Sequence, residues 1–413
     1  MTGPVAANRR SVAVLGAGIM GCCTALYLAR RGLRVVLFDQ AEAPFSGASR
    51  WNEGKIHLGY LYSAAQSFET ARLILPGGLA FKPLVEDLIG RSIAPVTAAE
   101  DDLYLIHRDS VIAPDVSRAY YESIAGMVRD HPDATSYLSD ASRSEVTPLV
   151  AAELEAVADP SVIVAGFRVL ERSVSTTWIA DAFVEALDAE PRISLAMSER
   201  VTDLTSEGEA GHGPWQVSST TGRHGPFDHV VNALWHGRPA IDRCVADCVD
   251  RLQHHRYRVA LFVRCARSVT VPSALIAVGP YGDIKNYNGR DFYLSWYPVG
   301  MLVEGEGIEH PAEPRLDDER RSAIARGMFD SLSGLLPGVS RIRDHAQEVR
   351  VQGGWVYAQA RGALDDPRSS LHKRDQLGVR WFGTYASVDT GKYSVAPYLA
   401  KAIATRITGS IRG

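Results

Sequence analysis

The chain has 413 residues, 46% hydrophobic and 22% charged, with 44 Lys and Arg against 48 Asp and Glu for a formal charge of −4. That length exceeds what one hydrophobic core usually serves, so two domains are expected, and the composition excludes a disordered chain. The charge balance offers no basic stripe for nucleic acid, and a doublet such as Arg256 and Arg258 is too short to make one.

Residues 11–15, Ser-Val-Ala-Val-Leu, read as a short buried strand. Gly16-Ala17-Gly18-Ile19-Met20-Gly21 follows, then a helical stretch with Ala25, Leu26, Leu28 and Ala29 that stops near Gly32. A second strand covers 34–38 and ends on Asp39. Each glycine has a physical task. Gly16 allows the tight turn out of the strand, Gly18 lets backbone approach a pyrophosphate, and Gly21 permits close helix–strand packing. The helix start, at Ile19 and Met20, offers free N–H groups and partial positive charge to phosphate. Asp39 lies 18 residues beyond Gly21, where a carboxylate can accept ribose hydroxyls. Strand, glycines, helix, strand and acid in that order predict a dinucleotide site. The acid disfavours a 2′-phosphate, and the pattern leaves NAD and FAD both open. By hydropathy, 11–29 between two arginine pairs also suits a signal peptide or a membrane span, but the spaced glycines argue for the fold.

Residues 46–62 read Ser-Gly-Ala-Ser-Arg-Trp-Asn-Glu-Gly-Lys-Ile-His-Leu-Gly-Tyr-Leu-Tyr. On this stretch and the fingerprint before it, the chain resembles the D-amino-acid oxidase superfamily of flavoenzymes, which includes glycine and sarcosine oxidases. Ser49-Arg50 to Tyr62 is similar to the Ser-Arg-x-x-x-Gly-x-Ile-His-x-Gly-x-x-Tyr of L-2-hydroxyglutarate oxidase, and Lys55-Ile56-His57 to the Lys-Leu-x-His of glycerol-3-phosphate dehydrogenase. The resemblance implies FAD. It places Ser49 and Arg50 on the pyrophosphate or ribityl chain, and Asn52, Gly54, Lys55 and Ile56 along the isoalloxazine. The tryptophan of the motif is followed by Asn52 rather than histidine, and no cysteine follows Cys265, so non-covalent FAD is expected.

Further along, a helix is predicted over 176–188, carrying Trp178, Ile179, Phe183, Val184 and Leu187. Residues 198–235 read as a strand, a hairpin around Trp215 and a return strand to Asn232. By resemblance, Val201 meets the adenine and Asn232 stands near the cofactor, with Trp235 where the family has glycine. Strands are predicted at 256–265, 273–278 and 292–297, with a turn at Asn288-Gly289. At the C-terminus, strand and loop lead into a helix with Val395, Leu399, Ile403 and Ile407 on one face. By resemblance, Gly391, Lys392 and Tyr393 hold the flavin's pyrimidine edge there.

The expected fold class is α/β: a discontinuous Rossmann-type FAD domain (1–95, 160–245 and 345–413) and a smaller α+β substrate domain (96–159 and 246–344) with a mixed antiparallel sheet. Candidate catalytic residues are Lys55, His57, Lys285, Tyr297 and Lys392. Lys55 and His57 share one side of an extended segment, and His57 has a pKa suited to accept a proton. Tyr281, Lys285, Tyr293 and Tyr297 are expected to line the substrate pocket. Arg361 and Arg368 are candidates for a carboxylate clamp, although Gly353-Gly354-Trp355 replaces the family's Arg-Pro. Cys244 and Cys248 with His254 and His255 match no common zinc spacing, so no metal is expected. Five cysteines without Cys-x-x-Cys fit a reducing cytoplasm. The expected function is oxidation of a small-molecule amine or amino acid, with O2 as acceptor and no nucleic acid or membrane span as partner. Oxidation of a 2-hydroxy acid or polyol is the alternative, and a flavoprotein subunit without free-substrate turnover a third reading.

Overall fold

Strand Ser11–Leu15 sits inside a six-stranded sheet in the computed structural model, which describes residues 10–65, 67–208, 211–245 and 252–409. The order is Gly378–Phe382, Tyr385–Asp389, His229–Asn232, Ser11–Leu15, Arg34–Phe38, Ile193–Ala196. All pairings are parallel except the hairpin between the first two strands. Val12 and Val14 on one face, and Ala13 and Leu15 on the other, are all fully buried. A parallel sheet covered on both faces reads as a continuous apolar run.

One face carries helices Ile19–Arg30, Glu69–Ile89 and Ala396–Gly409. The other carries the three-stranded meander Val201–Ser206, Trp215–Ser219 and Arg223–Phe227, whose Leu204, Trp215 and Val217 pack on Ala13, Leu15 and Phe38. Burial between sheet and outer helix explains the uncharged run at 11–29: Ile19 to Ala29 are all buried in the protein core. Among the described residues, no helix is long and apolar enough to cross a membrane. The predicted helix 176–188 is present as Thr176–Asp188. The fold is thus α/β with a Rossmann-type layer and a second, mixed sheet.

Among the described residues the second sheet has nine strands. Eight run in the order Met301–Glu306, His254–Cys265, Asp291–Trp296, Gly282–Asn286, Ala274–Ala277, Asp102–His107, Ile163–Val169, Val146–Pro148. The ninth, Ala346–Ala358, pairs along the length of His254–Cys265. Only Ala274–Ala277 with Asp102–His107 is parallel. Two strands differ from expectation. Ile163–Val169 and Ala346–Ala358, read from chain order as parts of the cofactor domain, pair into this second sheet instead. Sheet membership depends on a partner distant in sequence, which local pattern does not reveal. For Ala346–Ala358 the enabling feature is Gly353, where a Cβ would stand 1.8 Å from the Arg258 carbonyl oxygen.

Candidate functional site

The glycine-rich turn is shaped by close backbone contacts. Gly16 has φ 98°, and a Cβ there would lie 2.6 Å from the Ala233 carbonyl. A Cβ on Gly21 would stand 1.8 Å from the Gly16 carbonyl, so nothing larger fits between helix and turn. Gly18 caps helix Ile19–Arg30, whose first turn holds no acidic side chain. The Ile19 N–H donates to Ser49 Oγ at 3.0 Å, which brings the 46–62 segment onto the helix start. Asp39 Oδ2 accepts from the Ala17 N–H at 2.7 Å and Oδ1 from Ala41 at 2.9 Å, tying the end of the second strand to the turn. Burial raises the Asp39 carboxyl despite these bonds. Ile19 and Met20 are buried behind the turn, and Val201 opens the meander against the same sheet. An open helix N-terminus, a Cβ-free turn and an acid at the next strand end fit a dinucleotide.

From Ser49 the chain runs beneath the second sheet. Asn52 is not free for a ligand: its amide donates to the Ala48 and Ser49 carbonyls and accepts from the Gly54 N–H, building a local turn. Arg50 reaches Asp181 at 2.8 Å rather than pointing along the turn. Gly54, at φ 63°, brings the backbone so close to Val174 that a Cβ would be 1.9 Å from its carbonyl. Lys55 then bridges to Ser173, and Ile56 is fully buried with its carbonyl accepting from Tyr137. Behind this segment, Gly78 of helix Glu69–Ile89 lies against the His57 carbonyl, 2.3 Å from where a Cβ would be. The adjacent Gly77 lies against Val395. One helix therefore sets both the 54–58 segment and the loop 391–395.

Asn232 is fully buried, and its amide donates to the Arg238 carbonyl, Asp242 and Tyr385. That side chain organises the strand end through these bonds. Trp235 takes φ 56°, so the left-handed turn expected of glycine is kept, and its Nε1 donates to the Trp355 carbonyl at 2.9 Å. Gly391, at φ 62°, starts the last loop, with its N–H donating to Asp389.

Four of the five candidate catalytic residues are linked through buried charge. Lys55 Nζ and Lys285 Nζ each lie 2.7 Å from the same oxygen, Asp102 Oδ2. Lys55 also faces Glu171 at 3.4 Å, and Tyr104 donates to Glu171 at 2.5 Å. Burial would raise the Asp102 carboxyl, but Lys285 and Lys55 outweigh it and hold it below its ordinary range. Asp283 beside them is pushed up to about 6 by burial, against the pull of Lys285. His57 is buried, 3.8 Å from Glu171 and 3.9 Å from Glu53, with Nδ1 making no hydrogen bond. Burial, then Lys392, Lys55, Lys285 and Arg374, hold its pKa well below that of a free histidine, so the ring is neutral. Lys392 is brought down to about 8 by burial and by Arg374, and its Nζ lies 5.7 Å from the Tyr62 ring.

Tyr297 follows directly on strand Asp291–Trp296, not within it as expected, and meets two residues that sequence reading passed over. The Arg258 guanidinium lies 3.7 Å from the Tyr297 ring centre and Arg256 lies 6.0 Å from it. Burial would raise the phenol, but Arg258 and Arg256 outweigh it and lower its pKa. The signal was available: Arg256 and Arg258 are two apart on a predicted strand, so they share a face. Arg361 and Arg368, the expected clamp, are instead exposed on the surface, Arg368 on Asp366. Tyr281 also leaves the pocket, stacking on His107 at 4.5 Å. Among the described residues no cluster suits a metal ion, and Cys248 lies outside them.

A family model described as DAO, FAD dependent oxidoreductase, matches residues 11–362. The tRNA 5-methylaminomethyl-2-thiouridine biosynthesis bifunctional protein of Chromohalobacter salexigens is 28% identical over 246 residues. That match takes in 58% of this chain and 30% of the relative, so the chain spans less than a third of that protein. Glycine oxidase from Geobacillus kaustophilus superposes with a TM-score of 0.67 at 15% identity, over 97% of this chain and 95% of that one. L-alpha-glycerophosphate oxidase from Mycoplasma pneumoniae, with FAD bound, does so with a TM-score of 0.62 at 13% identity, over 97% and 95%.

Proposed function

The chain belongs to the family of FAD-dependent oxidoreductases, and from that premise we propose that it oxidises an amine or amino acid, passing the electrons to O2 with release of hydrogen peroxide. The carrying observation is the state of His57. An alcohol must lose its hydroxyl proton to a base as hydride leaves, whereas an amine needs only to arrive neutral. His57 is held neutral and weakly basic by burial and by Lys392, Lys55, Lys285 and Arg374. The same cations repel a substrate ammonium and lower its pKa, favouring the neutral amine.

The residues fit the cofactor. Gly16, Gly18 and Gly21 with the N–H groups of Ile19 and Met20 would take the pyrophosphate, Asp39 the ribose, the Val201 backbone the adenine, and Gly54 to Ile56 with Gly391 to Tyr393 the ring. FAD, when bound, supplies the two-electron acceptor for the carbon bearing the amine. Lys392 would place positive charge beside the pyrimidine edge, and attachment would be non-covalent. Lys55 and Lys285, locked on Asp102 with Glu171 beside Lys55, would form a fixed, charge-paired floor rather than act as mobile bases. The second sheet would close the substrate side. No nucleic acid partner is proposed, given the net charge of −4. A reducing cytoplasm suits the free Cys22, Cys23, Cys244 and Cys265.

Hydroxyl oxidation is the second reading, favoured by the two carboxylates flanking His57. The low identities to both solved oxidases carry the fold alone and do not choose between them. Anaerobic bleaching of the bound flavin by matched amino and hydroxy acids decides. Bleaching by the amino member alone supports the proposal, and bleaching by the hydroxy member alone overturns it.

A further inference from the structure

A carboxylate outside the sequence motifs holds the segment that carries Lys55 and His57. Beyond strand Ile163–Val169, residues 171–174 run alongside 54–58 and pair with its backbone. The Ile56 N–H donates to the Arg172 carbonyl and the Val174 N–H to the Gly54 carbonyl, each at 2.9 Å. Glu171 closes the end of this pairing. Its side chain is fully buried, and Oε1 accepts from the Leu58 N–H at 2.6 Å. Oε2 accepts from the Tyr104 hydroxyl at 2.5 Å and lies 3.4 Å from Lys55 Nζ. Burial and then Glu171 itself push the Tyr104 phenol well up, so it stays a donor. Lys55 Nζ in turn donates to that hydroxyl oxygen at 3.2 Å.

Glu171 therefore has two separable roles. Its hydrogen bonds to Leu58 and Tyr104 fix shape, and a neutral amide of the same size can make both. Its negative charge is what that amide would lack. Burial would lower the Lys55 ammonium, but Asp102 and then Glu171 outweigh it and raise its pKa. On Lys392, where burial and Arg374 win, Glu53 and Glu171 pull the other way. One fully buried carboxylate thus acts on both lysines assigned to the flavin ring. Charge in a buried site is poorly screened, and a carboxylate there opposes the negative charge that a flavin gains on reduction. We propose that Glu171 is a positioning residue whose charge, set beside Lys55, keeps the potential of the bound flavin low. This rests on the placement of Gly54 to Ile56 and Gly391 to Tyr393 along the ring, and not on which substrate is oxidised.

The test is the midpoint potential of the flavin in the holoenzyme at neutral pH, read by equilibration with a reference dye. Glu171→Gln is expected to raise it by at least about 30 mV, which is tenfold toward the reduced form for a two-electron couple. Glu171→Asp keeps the charge and is expected to show less than half of that rise. Where Glu171→Gln fails to fold or to hold flavin, the comparison moves to Lys55→Met, in which the ion pair is already broken. Adding Glu171→Gln to Lys55→Met is expected to raise the potential by the same margin. No rise in the background that is measured overturns the proposal. An equal rise in Glu171→Gln and Glu171→Asp makes shape rather than charge responsible and overturns it too. No substrate enters the measurement, which separates it from the amine-oxidase reading. Bleaching by hydroxy acids alone sinks only that reading, and unchanged potentials sink only this one.

Discussion

Lys55 and Lys285 lie on one oxygen of Asp102, each at 2.7 Å, with both ammonium groups fully buried. Two like charges are held together there because a carboxylate stands between them, with Glu171 3.4 Å from Lys55 as a further partner. Asp102→Asn should therefore cost about 3–5 kcal/mol, because two buried cations would lose their shared partner. Urea unfolding of the flavin-free protein measures this. Adding Lys285→Met to Asp102→Asn should recover part of the loss. A loss under about 1 kcal/mol in the single variant would show that the three groups are solvated rather than buried together.

Lys392 makes the cofactor's potential depend on pH in a predictable direction. Burial and Arg374 bring its pKa down to about 8, so its ammonium is charged below that pH and lost above it. Negative charge gained on reduction is stabilised only while the ammonium remains. The midpoint potential of the bound flavin should fall more steeply between pH 7 and 9 than in Lys392→Met. Parallel slopes in the two proteins would place the lysine away from the ring.

The neutral His57 has a stability consequence. Its folded pKa lies well below the unfolded value, about 6.5, so the unfolded chain takes up a proton that the folded one refuses. Its contribution is full above that value and is lost as pH falls below it. Thermal unfolding between pH 7 and 5 should show a larger loss of stability in the wild type than in His57→Gln. Equal losses would mean that the ring is protonated in the fold.

Two helix glycines should respond in opposite senses to the same substitution. A Cβ on Gly78 meets the His57 carbonyl at 2.3 Å, whereas Gly334 in helix Asp318–Leu335 has nothing within 4 Å. Gly78→Ala should cost about 1–3 kcal/mol, displace the 54–58 segment and reduce flavin retention. Gly334→Ala should gain about 0.5–1 kcal/mol. Denaturation midpoints and the ratio of flavin to protein absorbance report both effects.

The legible parts of this protein were those whose physics is local. The turn from Gly16 to Gly21, Asp39 at the next strand end, helix Thr176–Asp188 and the apolar face of Ala396–Gly409 each follow from spacing within a short stretch. Residue type and spacing are enough where a turn, a helix start or a buried face decides the outcome, so the sequence alone determined the glycine-rich turn and the α/β layer. Tertiary structure decided everything that depends on who faces whom. It moved strands Ile163–Val169 and Ala346–Ala358 into the second sheet, turned Arg361 and Arg368 to solvent, and put Arg256 and Arg258 around Tyr297. It also coupled Lys55 to Lys285 through Asp102, residues 230 positions apart at the extremes (285 − 55) with no local pattern between them. Charge at such a site is set by partners brought together across the fold, because burial and neighbouring charges, not residue identity, fix which form of each group exists.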